Sequence, residues 1–195
     1  MLKWMFDRVA ALLLIIVLMP IMLIVALLLL VTSDWPVFFV QERIGQYGKK
    51  FNMVKFKTMR GPENSPIAVI DNNRVTSIGK WLRRTKIDEL PELFNILIGT
   101  MSFVGPRPDV PGYADKLIGD DRVILSLKPG LTGLASLKYR NEDDILAVQP
   151  DPLKDNDEVI WPDKVRINKI YFENQSIWLD LKILLYTVLG KQIDC

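Results

Sequence analysis

Two adjacent carboxylates, Asp88 and Glu89, are the residues of this chain whose types and spacing best suit chemistry on phosphorus. They stand just before an apolar run, near the positive end of the helix that the run predicts, and that position favours an ionised carboxylate. An ionised pair is suited to binding Mg²⁺ and to attacking phosphorus. Because Arg83, Arg84 and Lys86 lie close by in the chain, the segment predicts a site that handles phosphate.

The same segment also fits a purely structural interpretation. Thr85-x-x-Asp88 matches a capping box, and acidic residues are enriched in first helical turns for stability alone. Taken by itself, the motif favours this interpretation. Pro91 argues against it, because a cap at Thr85 would place the proline beyond the first turn, where it is poorly tolerated.

Basic side chains occur in two further patterns. In Gly105-Pro106-Arg107-Pro108 the prolines stiffen the backbone on both sides of the arginine, so its guanidinium is suited to clamping a phosphate. A rigid surface turn with a solvated arginine is an equal alternative for this string alone. Lys55 and Lys57 fall on one face of a predicted strand, and two such lysines are typical of a solvated face.

The composition excludes several kinds of chemistry. The chain of 195 residues has no histidine, which removes histidine-based triads and histidine-ligated zinc. Its one cysteine, Cys195, permits no intrachain disulfide. The net charge of +2 does not argue for a nucleic-acid partner, and neither a Walker A loop nor a dinucleotide fingerprint is present.

An uncharged apolar run from Val9 to Val31 is the strongest single signal for structure. A helix of that length is able to cross a bilayer core of roughly 30 Å. Basic residues flank both ends of the run, which favours both ends on the cytosolic side. Pro20 lies near the middle and predicts a kink, so a re-entrant hairpin and an ordinary spanning helix stand nearly even.

The remaining chain reads as short strands and amphipathic helices. Strands are predicted at Val37 to Val40 and Phe51 to Met59 around a Gly45 to Gly48 turn, with a polar loop at Asp71 to Ser77 and a long surface loop at Asn141 to Glu158. Helices are predicted at Ile78 to Arg84, Leu90 to Met101, Asp163 to Glu173 and Ser176 to Leu189, with Ser176 as the N-cap and Gly190 as the stop.

Several strings occur in an order that resembles a known protein family. They are the apolar helix broken by Pro20, Lys55-Phe56-Lys57-Thr58-Met59-Arg60, Ile87-Asp88-Glu89-Leu90-Pro91-Glu92-Leu93-Phe94-Asn95, Met101-Ser102-Phe103-Val104-Gly105-Pro106-Arg107-Pro108 and Lys128-Pro129-Gly130-Leu131-Thr132-Gly133-Leu134-Ala135. Together they resemble the bacterial sugar transferase family of monotopic phosphoglycosyl transferases. The resemblance extends from about Phe6 to Leu189, and the acidic segment from Asn141 to Pro162 departs from it by its length.

This resemblance implies an α+β fold that is mainly helical. Residues 1–35 would form a re-entrant kinked membrane helix hairpin, and residues 36–195 a small cytosolic catalytic domain with short strands and interfacial amphipathic helices. The protein would be monotopic, on the cytosolic face of the bacterial inner membrane.

The resemblance also assigns roles to individual residues. Asp88 is implied to be the nucleophile and the Mg²⁺ ligand, with Glu89 assisting it. Pro20 is implied to kink the membrane helix. The positions implied to bind substrate are Lys55, Lys57, Arg83, Arg107, Arg140 and Asp180.

The implied reaction moves a sugar 1-phosphate from a UDP-sugar to polyprenyl (undecaprenyl) phosphate and releases UMP through a covalent aspartyl intermediate. It is the first membrane step of bacterial glycan assembly, for O-antigen, capsule, exopolysaccharide or glycoprotein. The implied partners are the UDP-sugar, polyprenyl phosphate and bilayer lipid, with downstream glycosyltransferases and no nucleic acid. By analogy the sugar is an N-acetylated hexosamine derivative, although no segment specifies it, and the sequence does not indicate an oligomeric state.

Two alternatives remain open from the sequence. One is a non-catalytic membrane scaffold whose arginines bind anionic headgroups while the Asp-Glu pair caps a helix. The other is a Mg²⁺-dependent phosphohydrolase acting on lipid phosphates.

Overall fold

The structure is a computed structural model that describes residues 2–32, 35–61 and 74–193. Residues 71–73 of the predicted polar loop and Cys195 lie outside the described residues. The helices are α1 Leu2–Thr32, α2 Ser77–Thr85, α3 Glu92–Ile98, α4 Leu134–Lys138, α5 Glu142–Ala147, α6 Pro152–Asp155, α7 Trp161–Asn174 and α8 Ile177–Leu189. The strands are β1 Phe38–Ile44, β2 Lys50–Phe56, β3 Ser102–Val104 and β4 Gly130–Thr132.

The N-terminal helix α1 is 31 residues long and continues through Pro20. By length and composition it is the one helix among the described residues that could cross a membrane, with a mean hydropathy of 3.4 in its most apolar stretch. Most of its apolar side chains are exposed, and a narrow stripe at helical spacing is buried against the rest of the chain. The long apolar N-terminal helix is confirmed, and its re-entrant path and kink remain predictions.

The first turns of α1 are fastened to the domain by polar contacts. Lys3 Nζ lies 2.5 Å from Asp180 Oδ2, and the buried Tyr171 hydroxyl donates to Asp180 Oδ1 at 2.6 Å. One turn further on, Ser102 Oγ donates to Asp7 Oδ2 at 2.7 Å. These contacts connect α1 to α7, α8 and β3, so the start of the apolar helix is fixed to the body of the protein.

The rest of α1 packs on the domain through apolar side chains. Ala11 and Ile15 belong to the main core cluster, together with Leu93 and Ile96 of α3. Towards the end of the helix, a second cluster joins Met22, Val25 and Leu29 of α1 with Val37, Phe56 and Leu82. Contacts with the domain therefore extend along nearly the whole length of α1, which is about 46 Å at roughly 1.5 Å per residue.

We expect Lys3→Met to destabilise the protein by about 1–2 kcal/mol, because Asp180 would be left buried without its cation. For a chain of this size that is a decrease in melting temperature of about 3–6 °C in detergent micelles. The exposed Lys49 supplies the control, Lys49→Met, which should not shift the melting temperature. Equal melting temperatures for both variants would contradict a fastening contact.

The two strands predicted after α1 are present with different bounds, and they pair as an antiparallel hairpin. Phe38 pairs with Phe56 and Ile44 with Lys50 around a tight turn at Gln46–Gly48. The first strand is longer than Val37 to Val40, and the second ends at Phe56 rather than at Met59. The predicted helix after the hairpin is confirmed as α2, and Thr76 caps it by accepting from Gly79 N at 2.9 Å.

Two glycine-containing strings meet in the parallel pair of β3 and β4. Gly105 N donates to Thr132 O at 2.9 Å, and Gly130 N donates to Pro106 O at 2.8 Å. A Cβ on Gly105 would lie 2.2 Å from Lys128 O, so the two backbones approach more closely than any other residue permits there. The backbone that leads to Arg107 is therefore held in place by the segment from Lys128 to Thr132.

The prediction of a long surface loop at Asn141 to Glu158 is wrong. This segment contains α5, α6 and a π-helical turn at Asn156–Ile160. Leu146 and Ile160 are buried and pack with Tyr139 in a small cluster of their own. These two apolar anchors order a segment that is otherwise rich in acidic residues and proline.

The last helix, α8, follows the prediction at both ends. Ser176 caps it by accepting from Leu179 N at 3.2 Å, and Gly190 ends it with φ 68°. Much of its apolar surface faces outward, since Ile177, Leu181 and Leu185 are exposed and Trp178 is 79% exposed. This exposed apolar face is suited to the interfacial position in a bilayer that the sequence predicts for the amphipathic helices.

Candidate active site

The Asp-Glu pair lies in a 3-10 turn, Ile87–Glu89, between α2 and α3. Lys86 ends α2 in the left-handed conformation, with φ 58°, and so turns the chain back towards the core. Thr85 belongs to the last turn of α2, where its hydroxyl donates to Trp81 O at 2.9 Å. The capping-box interpretation of Thr85 and Asp88 is therefore wrong, and both carboxylates are buried.

Glu89 is the centre of an ion-pair network. Its Oε1 accepts from Arg107 Nη2 at 2.6 Å and from Lys55 Nζ at 3.1 Å. Lys55 also lies 3.1 Å from Glu92 Oε1 on the first turn of α3. The structure thus brings the predicted residues Lys55, Glu89 and Arg107 together and adds Glu92, which the sequence prediction missed.

The pKa values of the ionisable groups in this network are shifted in different directions. Burial acts against ionisation of Glu89, but Arg107 and Lys55 outweigh it and hold the pKa of this carboxyl well below its usual range. Burial and the charge of Glu89 raise the pKa of Glu92, against the opposing effects of Lys55 and Arg107. Glu89 in turn raises the pKa of Arg107, so the Glu89–Arg107 pair stays fully charged.

Asp88 has a different environment from its neighbour. Its side chain is buried, and its Oδ1 atom has no hydrogen-bond partner among the described residues. Burial and the adjacent Glu89 raise its pKa, while Lys55, Lys86 and Arg83 act in the opposite direction. The sequence predicts that the dipole of the following helix keeps Asp88 ionised, but α3 begins only at Glu92. Asp88 therefore lies outside the first turn of that helix, and burial has the larger effect on its pKa.

The donor set at Asp88 fits a divalent ion that binds substrate as well as protein. The described residues contain no group of three or more acidic, histidine or cysteine side chains that could enclose a metal. Mg²⁺ needs no such group, because it is commonly held by one or two carboxylates together with substrate phosphates and water. The Oδ1 atom of Asp88, which has no hydrogen bond within the described part of the chain, is available as such a ligand.

Arg107 is positioned by backbone contacts on both sides of its string. Gly130 N donates to Pro106 O at 2.8 Å, and Ile44 N donates to Asp109 O at 2.9 Å. The side chain is 42% exposed while it contacts Glu89. The prediction of a stiffly presented arginine agrees with this geometry, although the described partner is a carboxylate.

The other four predicted substrate-binding residues lie at four separate places in the fold. Arg83 lies beside the Asp-Glu pair and donates to Thr58 Oγ1 at 3.1 Å, while Arg140 donates to Thr187 O at 3.2 Å at the C-terminal end of α8. Lys57 instead contacts Trp35 O at 3.5 Å. Asp180 belongs to the contact that fastens α1, so its described partners are Lys3 and Tyr171.

A cavity of about 690 Å³ opens beside Glu89 and Arg107. Its apolar part is lined by α1, α8 and the core, through Leu14, Leu18, Leu93, Phe103, Leu184 and Val188. Its basic part is lined by Arg84, Lys86, Arg107 and Arg140. A third part of the cavity wall has no net charge, because its two acidic side chains are balanced by two basic ones. It consists of Asp109, Glu142, Arg43, Lys164, Tyr113, Asn156 and Trp161.

Asp109 is one of the titratable residues of the cavity that the sequence prediction missed. Burial raises its pKa to about 6, against the opposing effects of Lys164 and Arg43. Only its place directly after Pro108 could have indicated it, since its neighbours come from distant parts of the chain.

This shift makes a prediction for stability. In the unfolded chain an aspartate titrates near pH 4, so the folded protein holds the extra proton between roughly pH 4 and pH 6 and loses stability as the pH rises through that window. We expect Asp109→Asn to raise the melting temperature at pH 7.5 and to have little effect at pH 4.5. An equal shift at the two pH values would rule out titration of Asp109 as the cause.

Comparison with known proteins identifies the family of this chain. The profile of the bacterial sugar transferase family matches residues 1–191, and the chain belongs to that family. An uncharacterized sugar transferase of Bacillus subtilis, EpsL, is 35% identical over 189 residues, which cover 96% of this chain and 86% of that protein.

Relatives named for a reaction are longer proteins. The UDP-glucose:undecaprenyl-phosphate glucose-1-phosphate transferase of Klebsiella pneumoniae is 39% identical over 164 residues, covering 80% of this chain and 33% of that protein. The undecaprenyl-phosphate galactose phosphotransferase of Salmonella typhimurium is 33% identical over 170 residues, covering 78% of this chain and 32% of its own length. The chain thus spans about a third of the length of these two relatives.

Proposed function

We propose that this protein transfers a sugar 1-phosphate from a UDP-sugar to polyprenyl phosphate and releases UMP. The observation that carries the proposal is the buried carboxylate of Asp88 beside the network of Glu89, Arg107 and Lys55, with one oxygen that no described residue contacts by a hydrogen bond. Two relatives are named as transferases that act on undecaprenyl phosphate, which supports the same chemistry here.

The reaction has two displacements at one phosphorus atom. In the first, a carboxylate oxygen of Asp88 attacks the β-phosphorus, and the bond from that phosphorus to the bridging oxygen breaks, so UMP leaves with that oxygen. In the second, a phosphate oxygen of the lipid attacks the same phosphorus and Asp88 leaves as a free carboxylate. The product is a polyprenyl diphosphate sugar.

The surrounding residues make an anionic nucleophile compatible with an anionic substrate. Lys86, Arg84 and Arg140 line the basic part of the cavity and can hold phosphate oxygens. Arg107 and Lys55 keep Glu89 charged and in place, which gives Asp88 a fixed neighbour on the turn. When bound at Asp88, Mg²⁺ supplies further neutralisation of phosphate charge.

The apolar part of the cavity suits the lipid substrate. It is bounded by side chains of α1 and α8, the two helices that expose large apolar surfaces. A prenyl chain that enters from the bilayer along these helices would deliver its phosphate to the basic part of the cavity.

The contacts of α1 support a monotopic arrangement on the cytosolic face of the inner membrane. Both halves of the helix contact the catalytic domain, at Asp180 and Ser102 near its start and at Val37 and Leu82 near its end. A spanning helix would carry one end roughly 30 Å away from that domain. We therefore propose that both ends of α1 stay on the domain's side of the membrane, as a re-entrant helix requires.

The test is UMP release in detergent from a panel of UDP-sugars with undecaprenyl phosphate. We expect release that depends on the lipid and on Mg²⁺ for at least one sugar, as the first membrane step of glycan assembly requires. Release of inorganic phosphate from the lipid without a nucleotide sugar would identify a phosphohydrolase instead. Headgroup binding without any release would identify a scaffold.

The covalent step has its own test. Incubation with a UDP-sugar labelled at the β-phosphorus, without lipid, should place the label on the peptide that contains Asp88. An unlabelled peptide under conditions that support turnover would exclude the aspartyl intermediate.

A further inference from the structure

Asp109 carries a carboxylate that lines the cavity and has no hydrogen-bond partner among the described residues. The described residues give this carboxylate no hydrogen bond and no ion pair, although Lys164 and Arg43 are close enough to act on its charge. Its backbone is held in place, because Ile44 N donates to Asp109 O at 2.9 Å. A fixed, partly buried acceptor without a partner is a group that a ligand can satisfy.

The side chains around Asp109 form an ordered wall of neutral overall charge. Tyr113 and Trp161 pack edge to face, with ring centroids 5.5 Å apart at 71°. The Tyr113 hydroxyl donates to Asp157 Oδ1 at 2.8 Å and accepts from Asn156 Nδ2 at 3.3 Å. The acidic segment from Asn141 to Pro162, which the reaction itself leaves without a role, therefore supplies much of this wall.

Lys164 extends the same wall from α7. Its ammonium group contacts both carboxylate oxygens of Glu142, at 2.6 and 2.7 Å, so its charge is compensated by protein. An uncharged polar ligand fits such surroundings better than another phosphate, for which the basic part of the cavity already provides. Carboxylate, amide and aromatic groups together are suited to a ring with hydroxyl or amide N–H donors on its edge.

The short distance along the chain between Arg107 and Asp109 indicates which part of the substrate can reach this wall. Asp109 is two residues after Arg107, at most about 7 Å of extended backbone, and Arg107 contacts the neighbour of Asp88. The group nearest to the phosphorus that Asp88 attacks is the sugar, which is bonded to that phosphate. The nucleoside lies one phosphate further away.

We propose that Asp109, Tyr113 and Trp161 form the subsite that binds the sugar ring of the UDP-sugar, with the Asp109 carboxylate accepting hydrogen bonds from a hydroxyl or amide N–H of that ring. This inference rests on the proposed function. It makes Asp109 a determinant of which sugar is transferred, and it gives the acidic segment the role of enclosing that sugar.

The test compares equilibrium binding of UMP with that of UDP-glucose, UDP-galactose, UDP-N-acetylglucosamine and UDP-N-acetylgalactosamine in the presence of Mg²⁺. Full-length Asp88→Asn protein is used so that no turnover occurs. Adding Asp109→Asn should weaken the tightest UDP-sugar by about 10-fold or more, the value of a hydrogen bond to a charged group. The affinity for UMP should change by less than about 2-fold, a margin well below one such bond, and this also shows that the variant is folded.

The exposed Asp120 gives a matched control, because Asp120→Asn removes the same charge outside the cavity. Tyr113→Phe is the second variant; it keeps the ring and removes the contact with Asp157, so it should narrow the differences among the sugars while leaving UMP binding intact. Equal weakening of UMP and every UDP-sugar would place the nucleoside at Asp109 and overturn the proposal.

UDP-sugars that bind no better than UMP, or that are unaffected by Asp109→Asn, would overturn the proposal too. These outcomes are distinct from failure of the proposed function, which the unmodified protein reveals by releasing no UMP from any UDP-sugar. If the unmodified protein released no UMP but still bound a UDP-sugar through Asp109, the proposed sugar subsite would stand and the proposed transferase function would be wrong.

Discussion

Asp88→Asn should reduce lipid-dependent UMP release by at least about 1,000-fold, because the amide cannot attack phosphorus and loss of a nucleophile is among the largest effects of a single substitution. The fold should persist, since an amide of the same shape replaces a buried carboxyl whose pKa burial and Glu89 already raise. The measurement is the initial rate of UMP release, together with the melting temperature of the variant.

The control for this variant is Asp120→Asn, which changes an exposed aspartate on the same domain and should leave the rate unchanged. Release by the Asp88 variant within about 10-fold of the unmodified rate, less than a nucleophile contributes, would show that another group carries the attack. The same variant should also fail to retain label from a UDP-sugar when lipid is absent.

Arg107→Met should have the second largest effect. This substitution leaves the buried carboxylate of Glu89 with Lys55 as its remaining cation. It also removes a guanidinium group that lines the cavity. Removing a pre-positioned donor of this kind costs about 100-fold in kcat/KM. Because the arginine side chain is partly exposed, the loss of stability should be about 1–2 kcal/mol.

A double-mutant cycle separates pairing with Glu89 from any other contribution of Arg107. Glu89→Gln removes the charge that Arg107 neutralises, so adding Arg107→Met to it should destabilise the protein less than Arg107→Met alone. The exposed Arg122 provides the matched control, Arg122→Met, with little effect on rate or stability. Strictly additive losses of stability would mean that the contact between Arg107 and Glu89 contributes nothing.

Local signals were sufficient for several elements of the fold. The Ser176 cap, the Gly190 stop and the apolar spacing between them predict α8, and its bounds depend on those residues alone. The strands β1 and β2 and the turn between them are also predicted, because the glycines of the turn lie within the segment that joins the two strands. In both cases the residues that decide the structure are close together in the chain.

Elements that depend on distant contacts were not predictable in this way. The segment after Asn141 contains too few apolar residues to show a helical period, and its order depends on packing against Tyr139 and on the contact between Asn156 and Tyr113. The apparent cap at Thr85 was misleading because the left-handed Lys86 interrupts the helix that it would have started.

The candidate site shows the same division. The sequence singled out Lys55, Glu89 and Arg107 individually, but only the fold shows that one carboxylate receives both cations. Resemblance to a family position predicts that Asp180 binds substrate, and its described partners are Lys3 at the start of α1 and Tyr171. Asp109 acquires its surroundings from β1, α5 and α7, which no local pattern connects.

The packing of α1 has a consequence for how the protein can be handled. Ala11 and Ile15 belong to the main core cluster with α3, and Leu29 belongs to the second cluster with Phe56 of β2. Removing residues 1–32 would expose these apolar clusters to water. It would not yield a water-soluble enzyme. The apolar helix is thus a structural component of the rest of the protein, and expression should retain it and supply a detergent that covers its exposed apolar side chains.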